Sequence, residues 1–142
     1  MLFRSEASGI FVSGADVYVS AVHDDGAHYR AKYYKNGIAT VLGTSETGIF
    51  ANSITVVGSD IYVGGGHFPD GAWYWKNGVQ GLIDTQAQAL QGIKVKNNRV
   101  YGAGYKTNDM GKDIAYYWVD TETFALSDGS ENARALSIFL TN

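Results

Sequence analysis

The string AKYYKNG at residues 31–37 returns at residues 72–78 as AWYWKNG, and a chain that repeats itself has to be read as a repeat before anything else. The two strings sit inside a longer unit. Alternating apolar runs separated by a short polar turn begin at Ile10 (IFVSGADVYVSA), Ile54 (ITVVGSDIYVGGG) and Ile93 (IKVKNNRVYGAGY), and a fourth opens at Ile138 as IFLTN. The starting isoleucines are 44, 39 and 45 residues apart. A second block follows each of the first three: AKYYKNGIATVL from Ala31, AWYWKNGVQGLI from Ala72 and AYYWVDTETFAL from Ala115.

Every block alternates with period two, which is the spacing of a strand with one face buried; a helical repeat would place apolar residues every three or four positions. The second copy predicts strands over 53–57, 60–64, 72–76 and 79–83, with turns at Gly58-Ser59 and Asn77-Gly78. Asn-Gly is a strong hairpin signal because a type I′ turn needs positive φ at both central residues. The third copy reads VDTETF from Val119 in place of the Asn-Gly pair, which predicts a longer turn at that corner.

Composition agrees with a sheet protein. Aromatic residues make up 13% of the 142-residue chain, with 18 glycines and one proline, Pro69. That length suits one domain with a real core. The net charge of -3 and the scattered Lys and Arg argue against a nucleic-acid partner. There is no cysteine, hence no disulfide and no thiolate chemistry. No apolar run approaches the roughly 20 residues of a membrane-spanning helix, and the opening MLFRSEASG lacks the apolar stretch of a secretory signal.

Four short antiparallel strands per 40 to 45 residues is the layout of a β-propeller blade. The expectation is an all-β chain of about three four-stranded blades, near 7–50, 51–89 and 90–134, plus one extra strand in 135–142. In that layout Ile10, Val12, Ile54, Val56, Ile93 and Val95 share one face of the innermost strands. The recurring Tyr18, Tyr62 and Tyr101, and Tyr33, Tyr74 and Tyr117, fill the space between neighbouring sheets. Trp73, matched by Lys32 and Tyr116, falls on a more exposed and variable face.

The pattern I-x-V-x-G-x-D-[IV]-Y-V followed by A-x-Y-W-K-N-G resembles repeats of bacterial β-propeller proteins of the exported or cell-surface kind, with a layout similar to kelch blades. The resemblance spans the chain from about Ala7 and implies architecture and an extracellular or surface location. It carries no catalytic residue set. Closed rings have roughly 4 to 8 blades, so three blades imply either a piece of a longer propeller or a homodimer that closes a six-bladed ring.

Function is expected in the connections between strands two and three and between successive units, which differ in every copy. The two-to-three connections read VHDDGAHYR, GHFPDG and YKTNDMGKD. They supply the candidate ligand-binding residues His23, Asp24, Asp25, His67, Phe68, Asp70, Trp73, Tyr105, Asp109 and Asp113. His23 and His67 are equivalent, each five residues after the strand-two tyrosine; with the nearby aspartates they could hold a metal or do acid–base work, although the usual ligand spacings are absent. Asp109 and Asp113 flank a glycine without the full calcium-loop pattern. The glycines of VGGGHF precede another strand and suit close backbone approach better than phosphate binding.

The expected function is therefore a non-enzymatic binding or scaffold module for a carbohydrate or protein, needing no cofactor and no catalytic or metal residues. The alternative is a carbohydrate-active hydrolase or lyase that uses the loop carboxylates and histidines. A close carboxylate pair in a cleft would favour the enzyme; a cleft lined by Phe68, Trp73 and Tyr105 would favour binding.

Overall fold

The computed structural model describes residues 4–141, and Asn142, the last residue of the expected fourth segment, lies outside them. The protein is all-β, with twelve strands and no helix among the described residues. Sheet 1 is β1 (Arg4–Ser13), β2 (Asp16–Asp24), β3 (Tyr29–Lys35) and β4 (Ile38–Ser45). Sheet 2 is β5 (Ile49–Val57), β6 (Asp60–His67), β7 (Gly71–Lys76) and β8 (Val79–Asp84). Sheet 3 is β9 (Leu90–Lys96), β10 (Arg99–Thr107), β11 (Asp113–Val119) and β12 (Glu122–Ala125). Each is an antiparallel meander in chain order. The strands run further than alternation predicted at their loop ends, so that His23 lies next to the last residue of β2 and His67 closes β6 instead of lying in loops.

The expected turns are in place. Val57 pairs with Asp60 and Lys76 with Val79, each across two residues. The recurring Lys-Asn-Gly has a specific task. Asn36 and Asn77 both adopt φ 50, and their Oδ1 atoms accept the amides of Val17 and Ile61 at 2.9 Å. Their Nδ2 atoms donate to Asp16 and Asp60 at 2.8 Å, and Lys35 and Lys76 bridge to the same two aspartates. One asparagine thus locks the third turn onto the start of the second strand.

The third corner corrects an expectation. Val119 pairs with Glu122, so Asp120-Thr121 is also a two-residue turn, and Asp120 takes φ 55. Its Oδ1 accepts the Val100 amide as the asparagines do, while its Oδ2 accepts from Arg99, which stands where the other sheets have aspartate. Exchanging the charges of the two positions preserves the lock. Asn77→Ala, which loses both side-chain bonds and strains a positive φ, is expected to cost about 2 kcal/mol, and Asn77→Gly, which keeps the φ, about 1 kcal/mol. Urea midpoints of the two variants check the difference.

The sheets face one another. Tyr18, Ala31 and the half-buried Tyr33 and Leu42 of sheet 1 pack on Ile49, Ala51, Ile54, Val56, Val63 and Trp75 of sheet 2. Tyr62, Ala72 and Ile83 of sheet 2 pack on Leu90, Ile93, Val100 and Trp118 of sheet 3. Tyr18, Tyr33, Tyr62 and Tyr74 are therefore inter-sheet filler, as their spacing suggested, whereas Tyr101 and Tyr117 of sheet 3 join neither cluster and Tyr117 stacks on Phe124 of its own sheet at 4.7 Å. The first strands β1, β5 and β9 are neighbours in series. Close approach there requires small residues: a Cβ on Gly9 would lie 2.8 Å from Ser53 Cα, and one on Gly64 3.0 Å from Ile93 Cβ.

Segment 137–141 follows the same logic. A Cβ on Gly92 would meet Ser137 Cα at 3.0 Å and Ile138 N at 3.1 Å, which places the segment against β9 as β5 lies against β1. No strand pairing holds it; Lys96 Nζ donates to the Thr141 carbonyl.

Candidate functional site

The first strand of every sheet, β1, β5 and β9, carries one bulge at the same place. The register skips Ser8 between Ala7 and Gly9, Asn52 between Ala51 and Ser53, and Gln91, opposite the Ala103–Gly104 step, between Leu90 and Gly92. A bulge leaves its extra residue outside the ladder and re-aims the side chain. Here it delivers three polar side chains to the mouths of the two clefts between the sheets.

The cleft between sheets 1 and 2 is lined by Arg4, Glu6, Ser8, Val22, Asp24, Tyr29, residues 47–50 and Asn52. The cleft between sheets 2 and 3 is lined by Phe50, Asn52, Phe68, Gln88, Ala89, Gln91 and Tyr105. Asn52 borders both and donates Nδ2 to the Leu90 carbonyl at 2.8 Å, tying sheet 2 to sheet 3. The second cleft has no charged lining residue among those described; it combines three aromatic rings with three amides. Phe50 and Phe68 are exposed at its rim, and Arg134 lies 4.3 Å from the centre of the Tyr105 ring.

Of the sequence candidates, Phe68 and Tyr105 thus meet in one cleft and Asp24 lines the other. Trp73 meets neither. It is half-buried, corrected from a more exposed face, because His67 stacks on it at 5.4 Å and Trp75 meets it edge-on at 6.0 Å. Its indole N–H is buried without a partner. His23 does not join His67; its Nδ1 is 2.7 Å from Ser5 Oγ.

Most of the aspartates serve local structure. Asp24 accepts the Gly26 amide. Asp25 accepts from the Arg30 guanidinium and from the amides of His28 and Ala27, and those bonds, Arg30 first, hold its carboxyl far below the usual carboxylate range. Asp113 is buried; burial opposes its ionisation, but bonds from Thr107 and Arg134 and the Arg134 charge outweigh that and lower its pKa. Asp113 therefore anchors the segment that carries Arg134. Asp109 is exposed on the β10–β11 connection.

His67 stands between a carboxylate and a serine. Its Nδ1 donates to Asp70 Oδ2 at 2.6 Å, which leaves Nε2 to accept from Ser45 Oγ at 2.6 Å. Serine, histidine and carboxylate in that order form the nucleophilic relay of many hydrolases. Ser45 cannot play the nucleophile in this state. It is 7% exposed, and the amides of Thr47 and Gly48 point at Oγ itself, so its lone pairs are engaged and no amide pair is aimed at a substrate oxyanion. The relay ties the β4–β5 connection to the β6–β7 connection.

Among the described residues no group of three or more His, Cys, Asp or Glu side chains is placed to hold a metal ion. No protein-family profile matches this chain. No curated protein matches it at a significant level.

Phe50, Asn52, Gln88 and Gln91 escaped the sequence reading. The signal for Asn52 and Gln91 was present in A-S-G-I, A-N-S-I and L-Q-G-I ahead of each repeat, where the polar second residue interrupts the alternation. Without the register, that interruption reads as a strand boundary.

Proposed function

We propose that the three sheets are consecutive blades of a β-propeller-type array, similar to the repeats of exported bacterial propeller proteins, and that the chain is a non-enzymatic module binding a neutral carbohydrate in the cleft between sheets 2 and 3. The supporting observation is the lining: Phe50, Phe68 and Tyr105 around the amides of Asn52, Gln88 and Gln91, with no charged group. Sugar rings present apolar C–H faces that stack on aromatic rings and rims of hydroxyls that suit primary amides, each of which both donates and accepts. Aromatic rings beside a few placed polar groups are a common composition of a ligand pocket.

Carbohydrate hydrolysis finds less support. It generally needs two carboxylates flanking the bond. The second cleft has none, and in the first Glu6 is paired with Arg4 at 3.0 Å while Asp24 holds the Gly26 amide.

Titration calorimetry with cello- and chito-oligosaccharides tests the proposal. Saturable binding is expected, weakened about ten-fold or more by Phe68→Ala and by Gln91→Ala, since an aromatic anchor or a central amide contributes upward of 1 kcal/mol. Phe68 is 56% exposed, so its loss should leave stability nearly unchanged. Absence of binding to every neutral glycan, or binding indifferent to both substitutions, would reject the carbohydrate reading.

A further inference from the structure

Sheets 1 and 3 each expose an apolar face, and the two faces match the two halves of a contact the protein already makes twice. Ile54 and Val56 on β5 are 4% and 9% exposed because sheet 1 covers them, and Ile93 on β9 is covered in the same way by sheet 2. Their counterparts on β1, Ile10 and Val12, are 68% and 60% exposed. At the opposite end, Leu126 of sheet 3 is exposed although its counterpart Ile83 is buried against the next sheet.

Segment 137–141 identifies what belongs on that end. It lies against Gly92 as β5 lies against Gly9. Its sequence, Ile138-Phe139-Leu140-Thr141, follows Ile10-Phe11-Val12-Ser13 of β1, and departs from Ile54-Thr55-Val56-Val57 and Ile93-Lys94-Val95-Lys96. Ile138 and Leu140 are half-buried, and Phe139 between them is 83% exposed. In sheet 1 the matching Phe11 packs into the core between sheets 1 and 2. The end of sheet 3 is therefore shaped for a strand of β1 type.

We infer that sheet 3 receives sheet 1 of a second copy of this chain, with Ile10 and Val12 of that copy against Leu126 and its neighbours, and that segment 137–141 holds the place of β1 until the second copy arrives. The occupant that displaces it is β1 because of pairing. β1 is laddered to β2 from Arg4↔Asp24 to Ser13↔Asp16, and so arrives as part of a sheet, whereas segment 137–141 has no strand partner. The contact is heterologous, and two copies close it only if six sheets complete a turn. The inference rests on reading the sheets as consecutive blades.

Light scattering across a dilution series tests it, using the full chain, the full chain carrying Ile138→Ser and Leu140→Ser, and the first of these carrying Ile10→Asp. Weakening the seat of segment 137–141 should favour a particle of two 15.4 kDa chains, with association about ten-fold tighter than in the unaltered chain. A variant ending at Arg134 should behave the same way. Ile10→Asp should weaken association about 30-fold or more, as expected of a central apolar contact. A one-chain mass for every variant, association weakened by loss of the segment, or indifference to Ile10→Asp would each overturn the inference. Proton NMR contacts between Ile54 methyls and the Tyr18 ring report the sheet 1 to sheet 2 packing separately. If they persist while the mass stays at one chain, only the association fails; if they are absent, the blade reading fails with it.

Discussion

Trp118→Ala is expected to lower the unfolding free energy by about 4 kcal/mol, read as a shift of the urea midpoint at unchanged slope. Trp118 is fully buried between sheets 2 and 3, stacked on Tyr116 at 6.0 Å and lying over Gly104, where a Cβ would be 3.2 Å from its ring. Its indole N–H donates to Asp84 Oδ2 at 3.0 Å, and Lys106 reaches the same oxygen at 2.7 Å. Burial works against ionisation of Asp84, but the bonds from Lys106, the Gln86 amide and Trp118 prevail and lower its pKa. Alanine would open a cavity and remove one donor from a carboxylate that crosses between sheets. Against a typical total of about 5 to 15 kcal/mol, that is about a quarter or more of the stability. Trp118→Phe should cost about 2 kcal/mol, since it fills most of the space and loses only the N–H. Equal costs for the two substitutions would mean that the bond to Asp84, and not packing, holds this interface.

Gly65→Ala is expected to cost about 3 kcal/mol, because the new Cβ would have to clear the Phe50 carbonyl oxygen, which lies 1.8 Å from where it would be built. The obstacle is backbone, and it is there because the β5 bulge at Asn52 swings the preceding peptide across β6. Sheet 1 has a bulge at the same place yet carries Ala21 opposite Ala7, so an alanine can be accommodated when the bulge sits slightly differently. The substitution therefore asks whether sheet 2 is rigid at the cleft. A loss near 3 kcal/mol together with weakened glycan binding would show that the bulge geometry and the cleft are one unit. A neutral substitution would show that β5 can relax to the arrangement of sheet 1, leaving close approach as a requirement at Gly64, which meets Ile93, and at Gly66, which meets the Gly71 carbonyl oxygen.

The all-β class, the three four-stranded units and their tight turns were legible in the residues themselves, because period-two alternation and Asn-Gly are local signals that need no partner strand to interpret. So was the packing role of Tyr18, Tyr33, Tyr62 and Tyr74, since a ring at one position in successive units meets an equivalent neighbour wherever a following sheet is packed on it. The third corner was not legible because its signal is not local: Asp120 takes the asparagine's place and conformation beside Arg99, 21 residues away, which supplies the compensating charge. The candidate cleft depended wholly on tertiary structure. Phe68 and Tyr105 could be proposed from their loops, but Phe50 comes from the first strand of sheet 2 and Gln91 from the bulge of sheet 3, and only the packing of one sheet on the next brings them together. His67 and Trp73 went the other way, drawn from the candidate site into a stacked pair by the bonds to Ser45 and Asp70. Periodicity tells which face of a strand is buried; which side chains from different sheets share a cleft is set by inter-sheet register and by bulges of one residue, and those are decided by contacts far apart in the chain.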